Sequence, residues 1–197
     1  ALLVTPYYNK PNQEGLFHHF IKIADSAEIP QILYNVPSRT ACDLMPETVM
    51  RLANHQNIVG IKEALDSSER FSELIKISQS IADQKNFSVF SGDDPTFNSF
   101  MANGGDGVIS VAANVVPSYI SQICSLNLSG QFDEAKELNS ILENLYELLF
   151  VESNPIPVKW MLNKMKRIQS GIRLPLVPYN ESFHEKTINE MIKLKLL

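Results

Sequence analysis

Residues 58–64 read IVGIKEA, an apolar run that ends in Lys62 and Glu63. A short apolar run followed by polar residues is typical of a strand that is buried on both faces. Similar runs alternate along the chain with segments whose apolar residues recur every three to four positions, as on one face of a helix. The sequence therefore predicts an α/β fold in which a parallel sheet is covered by helices.

The predicted strands span residues 2–5, 31–36, 58–64, 87–91 and 107–112. The predicted helices span residues 13–27, 46–53, 67–82, 117–128, 132–150, 157–166 and 183–194. A further helix is expected to begin at Asp94-Pro95, with the aspartate as its cap. The final helices have no strand among them, which predicts a separate helical domain.

Two parallel architectures compete, the open doubly wound sheet and the closed (β/α)8 barrel. The Gly-rich phosphate loop that is typical of the open fold does not occur in the sequence. Polar residues follow the predicted strands, which favours a barrel. A (β/α)8 barrel needs eight strands and the sequence offers five, so we expect residues 1–130 to form a TIM barrel without its first three strands. The abrupt start at Ala1 agrees with this expectation. A C-terminal helical domain is expected in residues 131–197.

The composition excludes several classes of function. The 197 residues carry a formal net charge of −5, which does not favour binding to nucleic acid. The four histidines lack the spacing of metal ligands. No apolar run reaches the roughly 18 residues that a membrane helix needs, and no signal-peptide pattern opens the chain. The sequence predicts a cytoplasmic protein without a membrane segment or a bound metal.

Lys62 is the strongest candidate for chemistry, because it lies at the end of an apolar strand. Burial disfavours the charged form of a lysine and leaves a neutral amine that can act as a nucleophile. One alternative is a lysine whose ammonium reaches out to solvent, and another is an ion pair with Glu63. Glu63 is the weaker partner, since adjacent strand residues point to opposite faces.

Tyr34 and Arg39 follow the strand before Lys62. A tyrosine at a strand end can donate and accept protons, and an arginine can hold a carboxylate with two parallel hydrogen bonds. A core aromatic and a solvated arginine are the alternatives. Tyr7 and Tyr8 follow the first strand, either as anchors of an interface or as locally packed aromatics.

Several motifs occur together in one order. They are VTPYYN at 4–9, YNVPSRT at 34–40, GIKEA at 60–64, SGDD at 91–94 and GGDGVISV at 104–111. FVESNPIPVK at 150–159 and RLP at 173–175 follow. This series closely resembles the dihydrodipicolinate synthase family, within the class I pyruvate-dependent aldolases. The resemblance extends over essentially the whole chain.

The resemblance implies a homotetramer, built as a dimer of dimers, that condenses pyruvate with L-aspartate 4-semialdehyde in lysine and diaminopimelate biosynthesis. No metal or organic cofactor is implied. Lys62 is expected to form a Schiff base with pyruvate, Tyr34 to relay protons to and from that imine, and Tyr8 to reach across the dimer interface into the neighbouring site.

The resemblance also implies roles in binding. Arg39 is expected to hold the semialdehyde carboxylate, while Ile109 and Gly92 lie by the bound substrate. Tyr7 is expected beside the cleft where L-lysine inhibits some members of the family. Sugar-acid aldolases and N-acetylneuraminate lyase share the lysine and the tyrosine but not usually the PSRT segment, so Arg39 favours the synthase.

Two alternatives remain. The chain could be an inactive barrel fragment or a binding module that keeps only an interface, or it could be a related sugar-acid aldolase. The family's pyruvate-carboxylate segment, GTTGE, does not occur in the sequence. We therefore expect a chain that truly begins at Ala1 to be inactive or nearly so.

Overall fold

A computed structural model describes all 197 residues, which form two compact units, Ala1–Ile109 and Ser110–Leu197. The first unit contains a five-stranded sheet whose neighbouring strands are parallel and follow the order of the chain. Its elements are β1 (Leu2–Val4), α1 (Gln13–Ser26), β2 (Gln31–Asn35), α2 (Pro37–Thr40), α3 (Pro46–Ala53), β3 (Ile58–Glu63), α4 (Ser68–Ser80), β4 (Ser88–Ser91), α5 (Phe97–Ala102) and β5 (Gly107–Val108).

The second unit is helical. It contains α6 (Pro117–Leu128), α7 (Phe132–Ser140), α8 (Glu143–Leu149), α9 (Ile156–Lys164) and α10 (His184–Lys193), with 3-10 turns at Ala112–Asn114 and Glu181–Phe183. None of the helices has the length and apolar character to cross a membrane. The predicted division into residues 1–130 and 131–197 would fall between α6 and α7, and it stays a prediction.

The predicted strands and most predicted helices are present, with shifts at their ends. The helix predicted after Asp94 is present as α5, but its predicted start and aspartate cap are wrong, because α5 begins only at Phe97. The carboxylate of Asp93 instead accepts hydrogen bonds from the Thr96 amide, at 3.2 Å, and from the Thr96 hydroxyl, at 2.7 Å. These bonds stabilise a turn before the helix, as is typical of an aspartate just ahead of one.

Three further predictions differ from the structure. The predicted helix 132–150 is two helices, because the chain turns between Ser140 and Glu143, where the Leu142 amide bonds to the Asn139 carbonyl. The predicted strand 107–112 ends at Val108. The segment Pro37–Thr40, expected to be a loop, forms the short helix α2 with proline at its first position, where a missing amide hydrogen is harmless.

The two faces of the sheet differ in burial. Leu33, Ile61 and Val89 are buried on one face, where α3 contacts β3 and both α4 and α5 contact β4. On the opposite face, Leu2 and Val4 in β1 are 44% and 39% exposed. Helices therefore cover one face, whereas an open doubly wound sheet carries helices on both.

The approach of β3 to β4 leaves no room for a side chain at Gly60. A Cβ atom built there would lie 2.5 Å from the Ser88 carbonyl oxygen, which is far inside van der Waals contact. The two strands pair in register at this point, so neither backbone can move without disturbing the pairing that holds Lys62.

We expect Gly60→Ala to lower the free energy of unfolding by about 1–3 kcal/mol, because the added methyl group forces the strands apart. The measurement is chemical denaturation followed by circular dichroism. Gly15→Ala in α1 is the control, where alanine favours the helix. Equal stability of Gly60→Ala and the unsubstituted chain would contradict the prediction.

Candidate active site

Lys62 and Tyr34 lie side by side at the carboxyl edge of the sheet. They are register partners in the parallel pairing of β3 with β2. The Lys62 ammonium nitrogen lies 4.2 Å from the centre of the Tyr34 ring, within the range of a cation–π contact. The lysine is only 9% exposed. The structure thus brings together the two residues that the sequence predicted as nucleophile and proton relay.

The Lys62 amine has an altered proton affinity. Burial lowers its pKa from the ordinary lysine value, and the negative charge of Asp94 partly opposes this shift. Asp94 is itself buried, at 1% exposure, just after the end of β4. A lowered pKa raises the fraction of neutral amine near neutral pH, which is the reactive form of a lysine nucleophile.

The Tyr34 hydroxyl shifts in the opposite direction. Burial raises its pKa, the positive charge of Arg39 lowers it, and the negative charge of Glu63 raises it further. The net increase keeps the phenol protonated at neutral pH. Tyr34 can therefore donate a proton to a group bound at Lys62, as general acid catalysis requires.

Gly92 packs against the stem of Lys62. A Cβ atom at this position would lie 2.8 Å from the lysine Cε and 2.9 Å from the Ala64 Cβ. Its amide donates a 2.6 Å hydrogen bond to the Glu63 carbonyl, which joins the ends of β3 and β4. The predicted Gly92 therefore lies at the lysine, where the absence of a side chain leaves space.

Ile109 and Arg39 reach the same edge of the sheet by different routes. Ile109 directly follows β5, and its amide donates a 2.9 Å hydrogen bond to the Ser91 carbonyl, so the residue lies beside the end of β4. Arg39 is exposed on α2, directly after β2. The Thr40 hydroxyl fixes the end of α2, lying 2.9 Å from the Cys42 carbonyl oxygen and 3.3 Å from the Thr5 hydroxyl.

Tyr7 and Tyr8 are not buried with the lysine. They are 68% and 92% exposed, and Tyr8 has a backbone φ of 72°. A left-handed conformation is uncommon for a bulky residue and costs of order 1–3 kcal/mol, so it often marks a functional segment. The predicted role of Tyr8 across an interface stays a prediction.

A group of polar residues lies behind Lys62 and Tyr34, on the other face of the sheet. We call it the buried network: Asn35, Glu63 and Arg70 are buried, and Asp43 at its margin is half-buried. Sequence reasoning missed it. One signal was present, because strand alternation turns Glu63 away from Lys62 into an apolar layer where a carboxylate needs partners.

Glu63 is fully buried, yet donors surround its carboxylate. Burial raises its pKa, while hydrogen bonds from the Asn35 amide group and the Leu65 amide, together with the charge of Arg70, oppose that shift. The Leu65 bond is 2.8 Å long. No group of three or more His, Cys, Asp or Glu side chains in the chain could hold a metal ion.

The fold and the lysine together define a class: an α/β protein with a buried lysine of lowered pKa at the carboxyl edge of its sheet. The chain belongs to the Dihydrodipicolinate synthetase family, whose model matches residues 1–194. Similar curated proteins are named 4-hydroxy-tetrahydrodipicolinate synthase. The one from Coxiella burnetii (strain Dugway 5J108-111) is 54% identical over 186 residues, which are 94% of this chain and 62% of that protein.

The corresponding protein from Alcanivorax borkumensis is 53% identical over all 197 residues, and the match covers 65% of it. The chain thus spans 62–65% of the length of these curated relatives.

Solved structures agree with the sequence matches. The chloride inhibited dihydrodipicolinate synthase from Acinetobacter baumannii, complexed with pyruvate, has a TM-score of 0.93 and 47% identity, and the match covers 100% of this chain and 66% of that one. A dihydrodipicolinate synthase from Cyanidioschyzon merolae with lysine bound has a TM-score of 0.90 and 35% identity, covering 100% and 65% of the two chains.

We expect Lys62 to react with acetic anhydride at lower pH than a free lysine side chain, because burial favours its neutral form. The measurement is competitive acetylation across a pH series, read by peptide mass spectrometry against added N-acetyl-lysine amide. A titration midpoint of Lys62 at or above that of the standard would contradict the assigned direction of its pKa.

Proposed function

We propose that this chain carries the Schiff-base site of an enzyme that condenses pyruvate with L-aspartate 4-semialdehyde to 4-hydroxy-tetrahydrodipicolinate, in lysine and diaminopimelate biosynthesis. The observation that carries the proposal is the position of the buried Lys62 amine over the ring of Tyr34, its register partner in the neighbouring strand. The names of the relatives and the pyruvate complex of a similar structure support the choice of substrates.

The reaction begins with attack of the neutral Lys62 amine on the ketone carbon of pyruvate. Tyr34 donates a proton to the oxygen, which leaves as water when the imine forms. The cationic imine nitrogen then acts as an electron sink, so that a proton passes from the methyl group to the Tyr34 oxygen, which lost its own proton in the first step, and an enamine results. The position of the Tyr34 ring, with its centre 4.2 Å from the Lys62 nitrogen, supports its part in these proton transfers.

The enamine carbon then bonds to the aldehyde carbon of the semialdehyde, the aldehyde double bond opens, and its oxygen takes up the proton that left the methyl group and becomes the 4-hydroxyl group. The amino group of the adduct attacks the imine carbon, closes the ring and releases Lys62 as a free amine. One water molecule is therefore lost overall, at imine formation. Arg39 provides the cation for the semialdehyde carboxylate, since a guanidinium matches a carboxylate with two parallel hydrogen bonds.

The binding residues form the rest of the proposal. Gly92 leaves room beside the Lys62 stem for a small substrate, and Ile109 offers backbone groups by the end of β4. A sugar-acid aldolase needs hydroxyl-binding side chains where Arg39 lies. The synthase names of the relatives also favour the condensation over that alternative.

The proposal extends to the assembly and to the fold. Sheet order that follows the chain, with helices on one face, supports a (β/α)8 barrel with a C-terminal helical domain. The high exposure of Tyr8 supports a role in a partner's site within a cytoplasmic homotetramer, a dimer of dimers. The lysine-bound relative supports L-lysine as an inhibitor near Tyr7.

We expect incubation with pyruvate and borohydride to attach a reduced pyruvyl group to Lys62. Intact mass and peptide mapping measure the adduct. Lys85 is a matched internal control, because burial also lowers its pKa, but its ammonium donates to the carbonyls of His55, at 2.7 Å, and Ile58, at 2.5 Å. An adduct on Lys85 in place of Lys62, or no adduct on a folded sample, would reject the proposed site and favour a non-catalytic module.

We expect Tyr34→Phe to slow adduct formation about 100-fold or more, because the variant keeps the ring but loses the proton donor. Phe90→Tyr, at the other register neighbour of Lys62, is a matched control, since it adds a hydroxyl and leaves Tyr34 in place. The measurement is the initial rate of borohydride trapping at saturating pyruvate. An unchanged rate in Tyr34→Phe would remove Tyr34 from the mechanism.

A further inference from the structure

We propose that the buried network is a positioning device for the active site: it fixes Lys62 and Tyr34 against each other and ties the segment carrying Arg39 to the same strand ends. The inference deepens the function proposed above and rests on it. The network lies on the opposite face of the sheet from the lysine amine. Its members therefore act through their neighbours in the chain, as positioning residues.

The register between β2 and β3 depends on the network. Asn35 and Glu63 directly follow Tyr34 and Lys62 in their strands, and they too are register partners. The Asn35 amide nitrogen donates to both Glu63 carboxylate oxygens, at 3.1 and 3.0 Å. A slip of one residue would turn every side chain of a strand to the other face. The bond between Asn35 and Glu63 therefore selects the one register that places Tyr34 beside Lys62.

Arg70, near the start of α4, binds Asp43 and Glu63 together. Its guanidinium donates to both Asp43 oxygens, at 2.9 and 2.8 Å, and lies 3.4 Å from a Glu63 oxygen. It also donates to the Leu44 carbonyl at 3.2 Å. Such two-pronged pairing fixes orientation as well as distance. One cation thus joins the end of β3 to the chain segment that follows α2.

Asn35 in β2 also binds the chain segment that follows α2. Asn35 donates to Asp43 at 2.8 Å, and its side-chain oxygen accepts the Leu44 amide at 2.9 Å. The segment therefore has bonds to both β2 and α4. Arg39 lies only a few residues earlier, so its position relative to Lys62 depends on these bonds.

Burial makes the charged groups of the network depend on one another. Glu63 is fully buried and Arg70 is 8% exposed, so neither can exchange its partners for water. Removing the cation leaves the carboxylates of Asp43 and Glu63 close together without compensation. Loss of one partner from a buried charged group is strongly disruptive, unlike loss of an exposed pair.

The test compares Arg70→Met and Arg70→Lys with two controls. Arg51→Met removes another two-pronged pair, the exposed contact with Glu14 at 2.8 and 3.2 Å. Leu16→Ala opens a cavity in the fully buried face of α1 and lowers stability away from the lysine. Each variant is measured at a temperature where it is folded. Arg70→Lys keeps the charge but not the planar fork, so it serves where Arg70→Met does not fold.

Two readouts are taken for each variant. The first is the rate of pyruvyl trapping on Lys62, and the second is the pH midpoint of Lys62 acetylation without pyruvate. The charged and titratable groups that bear on this midpoint are Tyr34 from β2, Asp94 after β4 and Arg39 through Tyr34.

We expect Arg70→Met to slow trapping about 10- to 100-fold, because small displacements of reacting groups have effects of that size. The acetylation midpoint should move to higher pH. Looser packing at the strand ends admits water to Lys62, and hydration favours the ammonium form. Arg70→Lys should be intermediate, and both controls should leave the two readouts unchanged.

The outcomes separate the network from the function on which it rests. If the unsubstituted chain traps pyruvate and both Arg70 variants match it in rate and midpoint, the network has no positioning role and the inference is overturned. If equal losses occur in Leu16→Ala, the effect is one of stability alone, which also overturns it. If the unsubstituted chain traps no pyruvate, the proposed function fails. The pH midpoint of Lys62 acetylation then tests the positioning role of the network by itself. A shift of this midpoint in the Arg70 variants supports the role, and no shift rejects it.

Discussion

The parallel pairing of β2 with β3 is the constraint on which the site depends. Two successive rungs carry polar pairs that point to opposite faces, Tyr34 with Lys62 and then Asn35 with Glu63. A polar side chain inside a sheet is unfavourable unless it finds partners. The second rung is fully supplied with hydrogen bonds, and it fixes the register in which Lys62 lies beside Tyr34. The pair of Asn35 and Glu63 thus holds the pair of Tyr34 and Lys62 in position.

Gly92, directly after β4, completes this arrangement because it has no side chain. Gly92 approaches the Lys62 stem more closely than any side chain would allow, and its amide joins β4 to the Glu63 carbonyl. Gly60 permits a similar close approach on the earlier part of β3. The lysine is therefore confined by backbone, which is stiffer than side chains. Confinement by backbone gives the amine few orientations and lowers the entropy that binding must overcome.

Much of the fold could be predicted from the sequence, because apolar periodicity reports directly on strands and helices. The parallel α/β fold, the strands and the α3 and α6 helices agree with expectation. The site was harder to predict. Lys62 stands out because a charge interrupts an apolar run, whereas Arg70 resembles any exposed helical arginine. Its role depends on Asp43 and Glu63, which are brought to it only by folding. Asp94 was misread because the side chain of its neighbour, Asp93, makes the turn.

Two carboxylates lie near the lysine, and their different surroundings give them different effects. Glu63 pairs with Arg70 on the far face of the sheet, where Asn35 and the Leu65 amide also donate hydrogen bonds to it. Asp94 has a negative charge that acts on the amine and favours its cationic form. In the proposed reaction the nucleophile is neutral, but the imine that follows is cationic. Burial favours the first species and Asp94 the second, so one fixed geometry meets the opposite electrostatic requirements of consecutive steps.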